Sequence, residues 1–584
     1  MNYKFTIDAA KITVWGALGF ALVCHLWAAN RGLEMMDEPS YYLLALNPWH
    51  TMGHGSLHGF ILHPLFLLSG QSVAGLRITG FLLTLVVAGR LAFSLSSYLN
   101  RGSKQAASPW LCLMTPVLMI SSLTYGNAGA RSPCYNWLVL IGAMLVWSGW
   151  FRFVAARRGA LEVALGLFFI FTGKWSSWIV FTPWMLAVLL LAGPKDGRVR
   201  FGVVAGTATV LLTGGFLVFF VGLDALKSTW ETGRIFQDTT RTHGFYLLPK
   251  YAWEILYYCY RVARAYVWLL PGVLLFWWLA WRQPLRWPIG KIGTILFMAG
   301  FFLAAARGWW RGGYDQFGKE SVLAGCWLLG VVWTTRQRAE GGGQKTKLGG
   351  RGSVVDIPAS VLCALVLTPF LLGFGTATSI ADYAGQGTVF LTAAGCLALA
   401  RVPSKGSGKK FPLAIVALTG LGLIQASRVS SSLLDLSRIG SIWNQNARLT
   451  FGPEKERFFV DANLARAVQD VGQGLVLTGY QPGDPIIAVD GLCGLVYLLG
   501  AQSPEACWFF ENQEQYLRRM VARIRPEKLR RCWVLQRSTA QIVPVEKWHP
   551  DPGAVLFRER VPVTLDRGPE QIRIYAPKGA EGER

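Results

Sequence analysis

Apolar runs of about 15 to 22 residues recur between residue 10 and about residue 426, close to the roughly 20 residues that a helix needs to cross a bilayer. In the whole chain 52% of residues are hydrophobic and only 15% are charged, too few charges to cover the surface of an ordinary soluble protein. The first run, AAKITVWGALGFALVCHLWAA, lacks the small-x-small cleavage site of a secretory signal, so we interpret it as a first transmembrane helix. The runs predict a polytopic α-helical membrane protein.

Basic residues divide the loops between these runs into two kinds. Six short loops are rich in Lys and Arg, from the loop with Arg101 and Lys104 to the loop with Lys409 and Lys410. Cytoplasmic loops carry such an excess, and about 13 transmembrane helices after a cytoplasmic N-terminus place all six on the cytoplasmic side of the inner membrane. The same loops account for the net charge of +24, so we exclude a nucleic-acid partner. The other loops hold most of the acid, His, Tyr and Trp residues found before residue 427, so any chemistry faces outward.

The apolar runs end near residue 426, where a second domain begins. We divide the chain into a transmembrane module, residues 1–426, and a soluble tail, residues 427–584. The tail alternates helical stretches such as NQEQYLRRMVARI with strand-like stretches such as PIIAVDG, which predicts a small extracytoplasmic α/β domain. Its three cysteines can supply one disulfide, and the sequence leaves the pair open. They are Cys493, Cys507 and Cys532.

Two adjacent carboxylates, Asp37 and Glu38, follow the first apolar run in the stretch MMDEPSYY. Carboxylates are costly close to the apolar phase, so their presence there indicates either a solvated loop or a functional site. Pro39 fixes the turn, and Tyr41 and Tyr42 are typical of a membrane interface.

Four of the seven histidines follow within residues 50–63, at His50, His54, His58 and His63. The first three are spaced four apart, which would align them on one face of a helix. Pro48 and the glycines at positions 53, 55 and 59 favour a loop instead, so these histidines are predicted to line a polar cleft. A divalent metal held by Glu38, His54 and His58 stays open as the alternative.

Four cations lie in or beside the predicted outer loops: Arg131, Lys174, Arg307 and Arg311. Each alone is explained by snorkelling at the membrane boundary. If they converge with the carboxylate pair, they form a phosphate-binding cleft with a base beside it. The aromatic and cationic stretch 223–264 is either a mobile flap over that cleft or an amphipathic segment on the membrane surface.

The order of these motifs resembles the lipid-dependent GT-C glycosyltransferases, in particular the protein O-mannosyltransferase and aminoarabinose transferase branch. The resemblance lies in the DE of the first outer loop, the HPL at residues 63–65, the RSPCYNW before the fourth span, the TGK at residues 172–174, and the position of the tail. It implies a GT-C fold and an enzyme that transfers a sugar from a polyprenyl phosphate to a lipid, glycan or protein acceptor. The HPL lacks the second proline that is commoner in the family, and the tail matches only in position and α/β character.

The resemblance also implies roles for individual residues. Asp37 matches the acid that accepts the proton of the acceptor hydroxyl, and Glu38 the neighbour that orients substrate or a metal. His63 matches a residue close to the lipid phosphate, and Arg131 and Lys174 match phosphate ligands. Arg307, Arg311, Tyr42 and His58 complete our predicted substrate-binding set.

Two other classes of protein fit the composition. A transporter or flippase of a lipid-linked or anionic envelope precursor would place ionisable residues near the middle of the bilayer and have repeated halves. The chain has no visible repeat and concentrates its charges in outer loops, which favours the enzyme. A scaffold for envelope assembly would not depend on Asp37.

Overall fold

The computed structural model describes most of the chain, with gaps. The described residues are 3–52, 55–101, 111–128, 131–240, 247–266, 358–375, 385–400, 411–436, 439–451, 455–489, 491–509, 514–537, 557–564 and 571–577. Within these ranges the protein is mostly helical, with small sheets concentrated in the tail. The predictions for Arg307, Arg311 and His54 lie outside the described residues.

Helices make up the described part of the transmembrane module. In chain order they are α1 (Tyr3–Ala28), α2 (Asp37–Leu46), α3 (His58–Leu68), α4 (Val73–Leu99), α5 (Leu111–Ser122), α6 (Tyr135–Ala156), α7 (Ala160–Gly173), α8 (Trp175–Ala192), α9 (Arg198–Gly215), α10 (Leu223–Thr240), α11 (Leu248–Tyr266), α12 (Ala359–Leu372), α13 (Thr388–Ala400) and α14 (Phe411–Leu434).

Five helical stretches of the described residues are long and apolar enough to cross a membrane. They are Ile7–Ala28, Val73–Leu99, Tyr135–Ala156, Trp175–Ala192 and Arg198–Val221. Shorter apolar helices accompany them, including α7, which corresponds to the shortest predicted span. These helices support a polytopic membrane protein, while the number of 13 spans stays a prediction.

Residues 223–264, predicted as a flap or an amphipathic surface segment, form two helices in their described part, α10 and α11. Trp253, Leu256 and Tyr260 of α11 are exposed. The described part of the stretch is therefore helical, with aromatic and aliphatic side chains exposed on α11, and the choice between the two predictions stays open.

Neighbouring helices alternate in direction relative to the tail. Helix α4 begins at the tail, where the carboxylate of Glu456 accepts hydrogen bonds from the N–H groups of Val73 (2.8 Å) and Ala74 (3.0 Å). At the opposite end, where α6 leads into α7, Glu162 forms ion pairs with Arg90 and Arg152. The end of α4 and the connection between α6 and α7 thus lie away from the tail. The start of α9 lies there too, because Phe201 stacks on Phe153 near the end of α6.

The first and last described helices of the module run in the same direction. Val14 of α1 packs against Gly422 of α14, and Ala28 and Leu433 line one pocket near the ends of these helices. Helix α14 continues directly into the tail. Both helices therefore end at the side of the module that carries the tail.

The described part of the tail contains both helices and strands, with a small sheet region near the C-terminus, while its folding as a separate domain stays a prediction. Its helices are α15 (Ala462–Leu477), α16 (Cys493–Leu498), α17 (Glu514–Val521) and α18 (Pro526–Leu529). Its strands are β2 (Asp435–Leu436), β3 (Gly440–Ser441), β4 (Gln445–Phe451), β5 (Glu456–Asp461), β6 (Ile486–Ala488), β7 (Glu505–Ala506), β8 (Trp533–Arg537), β9 (Phe557–Thr564) and β10 (Gln571–Pro577). The largest sheet has the order β6-β8-β10-β9, with β6 and β8 parallel and the other pairs antiparallel. The three cysteines considered for a disulfide are buried free thiols: Cys493, Cys507 and Cys532.

The tail pairs with the connection between α1 and α3, residues 29–57. Strand β1 (Thr51–Met52) of this connection lies parallel to β7, and the N–H of Gly32 donates to the carbonyl of Phe459 over 2.7 Å. The N–H of Phe459 donates in turn to the carbonyl of Asn30 over 2.9 Å. Backbone pairing of this kind fixes the register of the connection on the tail.

Helices α6 and α7 pack so closely that glycines are required between them. A Cβ atom on Gly142 would lie 2.5 Å from the carbonyl oxygen of Gly166 and 3.1 Å from the backbone nitrogen of Ile170. Real Cβ atoms do not approach backbone atoms this closely, so an added methyl group must push the helices apart.

We expect Gly142→Ala to destabilise the protein by about 2 kcal/mol, because overpacking a tight helix contact has a cost of this order. The measurement is the midpoint of thermal unfolding in detergent. Gly206→Ala is the matched control, since a Cβ atom there meets nothing within 4 Å and alanine is the better helix former. Equal midpoints for the two variants would contradict the close packing of α6 and α7.

Candidate functional site

Helix α2 begins at Asp37, and the carboxylate of Glu34 caps that end. The side chain of Glu34 accepts hydrogen bonds from the backbone N–H groups of Asp37 (2.6 Å) and Glu38 (3.1 Å). N–H groups at this position have no partner inside the helix, and a negative charge is favourable beside them. Successive residues of a helix point to different sides. The cap therefore presents Asp37 and Glu38 to different neighbours.

Asp37 is half-buried where α2 meets the tail. The tail binds the backbone just before it: the thiol of Cys493 donates to the carbonyl of Met36 over 2.7 Å, and the indole of Trp508 donates to it over 3.3 Å. Burial raises the pKa of Cys493, and nearby negative groups that include Asp37 raise it further. The carboxylate of Asp37 thus lies beside helix α16.

Glu38 points into the protein and is only 1% exposed. Its two carboxylate oxygens accept hydrogen bonds from Nε (2.9 Å) and Nη2 (2.6 Å) of Arg77, and the hydroxyl of Ser132 donates to it over 2.6 Å. Burial alone would raise the pKa of Glu38, but the charge and hydrogen bonds of Arg77 hold it below its ordinary value. Glu38 is therefore an ionised partner of Arg77.

Arg77 joins α4 to the connection that carries the acids. Its remaining N–H groups donate to the carbonyl oxygens of Ala29 (3.0 Å), Arg31 (3.1 Å) and Gly32 (2.8 Å). Tyr42, predicted to bind substrate, is fully buried and hydrogen-bonds Ser132 in the same network. This network holds the chain leading to Asp37 against the membrane helices.

Arg131 lies beside this network, and only Nη1 of its guanidinium forms hydrogen bonds within the described residues. Its Nη1 donates to the carbonyl oxygens of Ala28 (3.2 Å) and Arg31 (2.9 Å). Its Nε and Nη2 are buried and have no hydrogen-bond partner among the residues that the structure describes. Burial, and after it the like charge of Arg77, lower the pKa of Arg131 to about 9. The surroundings thus disfavour the charged form of Arg131 as it stands.

A cavity of about 50 Å³ opens beside these two arginines. It lies at the tail-facing ends of α1, α4 and α5, and most of its wall is apolar. Residues of the wall include His25, Arg77, Phe81, Tyr125, Arg131 and Trp137. A space of this size holds more than one water molecule, and two cations on an apolar wall are suited to an anionic group joined to an apolar chain.

His58 and His63 both lie on α3 but in different surroundings. His58 is buried, with Nδ1 2.9 Å from the hydroxyl oxygen of Ser56. His63 is half-buried, and its Nδ1 donates to the carbonyl of Ala45 over 2.6 Å. This hydrogen bond joins His63 of α3 to α2. Its predicted contact with a lipid phosphate stays a prediction.

Lys174 lies in the break between α7 and α8 and is buried. Its Nζ donates to the carbonyl of Leu372 over 3.5 Å, and burial lowers the pKa of Lys174 to about 7. The neighbouring Cys134 has the opposite effect and raises the pKa of Lys174. Burial raises the pKa of Cys134 itself, and among the smaller effects the charge of Asp37 raises it further.

The described residues do not form a metal site from the predicted ligands. Both oxygens of Glu38 bind Arg77, and the described ranges contain no group of three or more His, Cys, Asp and Glu side chains placed to hold a metal ion. His50 is exposed and does not continue a helix with His58, since residues 47–52 are turn and strand.

The sequence prediction missed Arg77 and Ser132. Arg77 follows the start of an apolar run by a few residues, in VAGLRITGF, and a lone arginine inside such a run is by itself a sign of a function or a buried partner. That signal identifies the residue, but only the structure identifies Glu38 as its partner.

Comparison with known proteins gives no assignment: no protein-family model matches the chain, and none of the curated proteins matches it either.

Proposed function

We propose that the protein is a membrane glycosyltransferase that moves a sugar from a polyprenyl-phosphate donor to an acceptor hydroxyl, with Asp37 as the base. The strongest support is the placement of a half-buried carboxylate, Asp37, at the same end of the helices as Arg131. Arg131 is half-buried, and its Nε and Nη2 are buried without a partner among the described residues. A base and a phosphate ligand are what this reaction requires, because the donor is already activated by its phosphate.

The charges around Arg131 favour one further anion. Glu38 is committed to Arg77, and no ion pair joins Arg131 to a carboxylate within the described ranges. A buried ion without a partner costs several kcal/mol, roughly. A phosphate in the cavity would accept hydrogen bonds from Nε and Nη2 of Arg131, and the apolar wall would receive the first part of a prenyl chain.

The proposed reaction is a single displacement at C1 of the donor sugar. The acceptor oxygen attacks C1 of the sugar, its proton passes to the carboxylate of Asp37, and the bond between C1 and the phosphate oxygen breaks. The electron pair leaves with the polyprenyl phosphate, whose negative charge Arg131 and Lys174 stabilise. A single displacement inverts the configuration at C1, and no second carboxylate is needed as nucleophile.

The orientation of the helices supports a site on the outer face of the inner membrane. Helices α1 and α14 end at the tail, which is consistent with an odd number of crossings between the N-terminus and the tail. The basic residues Arg101, Arg158 and Arg200 follow or begin helices at the end remote from the tail. On the positive-inside rule, the tail and Asp37 then face outward, where the acceptor is an envelope lipid, polysaccharide or protein.

The test is transfer of a labelled sugar by purified protein in liposomes, with polyprenyl-phosphate sugars as donors and envelope lipid, glycan or protein fractions as acceptors. We expect labelled acceptor to form with at least one donor, together with free polyprenyl phosphate. If no donor is used while a labelled lipid-linked precursor crosses the vesicle membrane, the protein is a transporter and the proposal is wrong.

We expect Arg131→Gln to raise the KM for the donor about tenfold to 100-fold, since charge-assisted hydrogen bonds contribute roughly 1.5 to 3 kcal/mol. The KM for the acceptor should change little. The control is Arg158→Gln, an exposed arginine at the opposite end of α6. An unchanged donor KM in Arg131→Gln would remove Arg131 from the donor site.

A further inference from the structure

Strands β4 and β5 form an antiparallel hairpin whose two ends lie beside the tail-side ends of membrane helices. At one end, Nη1 of Arg31, in the chain just after α1, donates to the carbonyl of Gln445 over 3.3 Å. At the other end, Glu456 accepts a hydrogen bond from the N–H of Val73 and caps α4. The hairpin therefore extends along the boundary of the transmembrane module, at the level where lipid headgroups surround membrane-crossing helices.

The two faces of this hairpin have opposite character. The face that packs on the protein consists of four buried apolar residues: Leu449, Phe451, Phe458 and Val460. On the other face Arg448 lies directly opposite Phe459, and Thr450 lies opposite Arg457. Arg448, Thr450 and Arg457 are exposed, and Phe459 is half-buried. We call these last four residues the arginine face.

Stacked side chains join the arginine face to the apolar surface of α1. The guanidinium of Arg31 lies over the ring of Phe459, 4.6 Å from its centroid, and over the ring of Trp27 at 4.7 Å. Trp27 contacts the ring of Trp443 at 4.8 Å, and Trp443 is 65% exposed. Val23, four residues before Trp27 and so on the same side of α1, is exposed as well. The arginine face thus continues the surface that α1 exposes to lipid.

The arginines of this region have no carboxylate partner within the described ranges. None of the ion pairs found there involves Arg31, Arg448 or Arg457. The two acids of β5 have other roles, since Glu456 caps α4 and Asp461 caps α15. Nε of Arg31 is also buried without a hydrogen-bond partner among the described residues. Guanidinium groups form strong hydrogen bonds with phosphate, so this surface is suited to an external phosphate group.

We propose that the arginine face binds the phosphate of anionic phospholipids in the leaflet on the tail side of the membrane. The level of the hairpin and its continuity with α1 identify the partner as a lipid, and the unpaired arginines favour an anionic headgroup. Trp27 and Trp443 are the aromatic residues typical of a membrane interface. Each arginine beside an anionic membrane surface favours the contact by about fivefold. This role is separate from sugar transfer and goes beyond the proposed function.

The test is photo-crosslinking from the arginine face of the full-length protein. Thr450→benzoylphenylalanine places the crosslinker opposite Arg457 and on the same face as Arg448. The protein is irradiated in liposomes with equal amounts of phosphatidylglycerol and phosphatidylcholine, and mass spectrometry identifies the attached lipid. We expect phosphatidylglycerol adducts to exceed phosphatidylcholine adducts at least about fivefold. Added salt should lower this ratio, because it screens exposed charges.

Paired variants test whether the guanidinium groups cause the preference. Arg448→Gln with Arg457→Gln should bring the ratio of the two adducts close to one. Arg448→Lys with Arg457→Lys keeps both charges and should keep most of the preference. The matched control is Arg530→Gln with Arg531→Gln, which removes two exposed arginines of the tail outside the hairpin and should leave the ratio unchanged.

Three results would overturn the proposal. They are equal labelling of the two lipids, a ratio that Arg448→Gln with Arg457→Gln does not change, and crosslinks to a second copy of the protein in place of lipid. Because the liposomes contain neither donor nor acceptor, the outcome does not depend on whether the protein transfers a sugar.

Discussion

Substituting asparagine for Asp37 is expected to lower the rate of glycosyl transfer about 100-fold or more, because a positioned base contributes about 10² to 10⁴ to such a step. Asparagine has the size of aspartate but cannot take the proton of the acceptor hydroxyl. The backbone N–H of residue 37 still donates to Glu34, so the start of α2 should be preserved. The rate constant for transfer is the measurement, with donor and acceptor both saturating.

The matched control is Asp196→Asn, which makes the same chemical change at an exposed turn remote from the tail. Asp37→Glu adds a second comparison, because it retains a carboxylate and displaces it by one methylene group. We expect it to transfer sugar more slowly than wild type and faster than Asp37→Asn. Wild-type rates in Asp37→Asn would show that Asp37 is not the base.

The sequence predicts the location of the acids better than it predicts their roles. The position after the first apolar run and the following Pro39 suffice to place Asp37 and Glu38 at a boundary. The two residues have the same chemistry in sequence, yet the structure buries Glu38 against Arg77 and leaves Asp37 half-buried beside the tail. That difference depends on which side of a capped helix each residue occupies, and on a partner about 40 positions away on another helix.

The histidines illustrate a second limit of the sequence. Glycine and proline correctly predict that residues 47–52 are not helical, because they disfavour regular helix. The loop that they predict at His58 is wrong, since α3 begins at this residue and its side chain is buried. The same pattern cannot distinguish His58, which begins α3 and is buried, from His50, which is exposed a few residues earlier. Ser56, which lies beside Nδ1 of His58, donates to the carbonyl of Gly173 on α7, so the surroundings of His58 depend on segments more than 100 residues apart.

The presence of both helices and strands in the tail was predictable, whereas the contacts of the tail were not. Alternating strand-like and helical patterns suffice for the fold class. The capping of α4 by Glu456 and the pairing of β1 with β7 join segments that are distant in sequence and carry no joint pattern. These contacts hold the tail against α4 and against the connection that carries Asp37, and this placement is a property of the tertiary structure.

Replacing Arg77 with methionine is expected to destabilise the folded protein by about 3 to 5 kcal/mol, the usual cost of leaving one member of a buried ion pair alone. Arg77→Met leaves the carboxylate of Glu38 buried without its partner, together with three carbonyl oxygens of the connection. Unfolding in detergent, followed by tryptophan fluorescence, gives the stability, and protease cleavage within residues 29–37 reports local opening.

The pH dependence of unfolding tests whether loss of the ion pair causes the destabilisation in Arg77→Met. Arg77 lowers the pKa of Glu38 in the folded protein, so the pair's contribution is complete above the ordinary carboxyl pKa of about 4 and is lost as the pH falls through the lower folded value. The stability of Glu38→Gln should lack this acid-sensitive part.

Because replacing both partners with apolar groups avoids the unpaired charge, the double variant Glu38→Leu with Arg77→Met should be more stable than Arg77→Met alone. Arg200→Met, at an exposed position, is the control for loss of a surface arginine and should unfold as wild type does. If Arg77→Met matched that control, the ion pair would not be what holds the connection and Asp37 on the membrane helices.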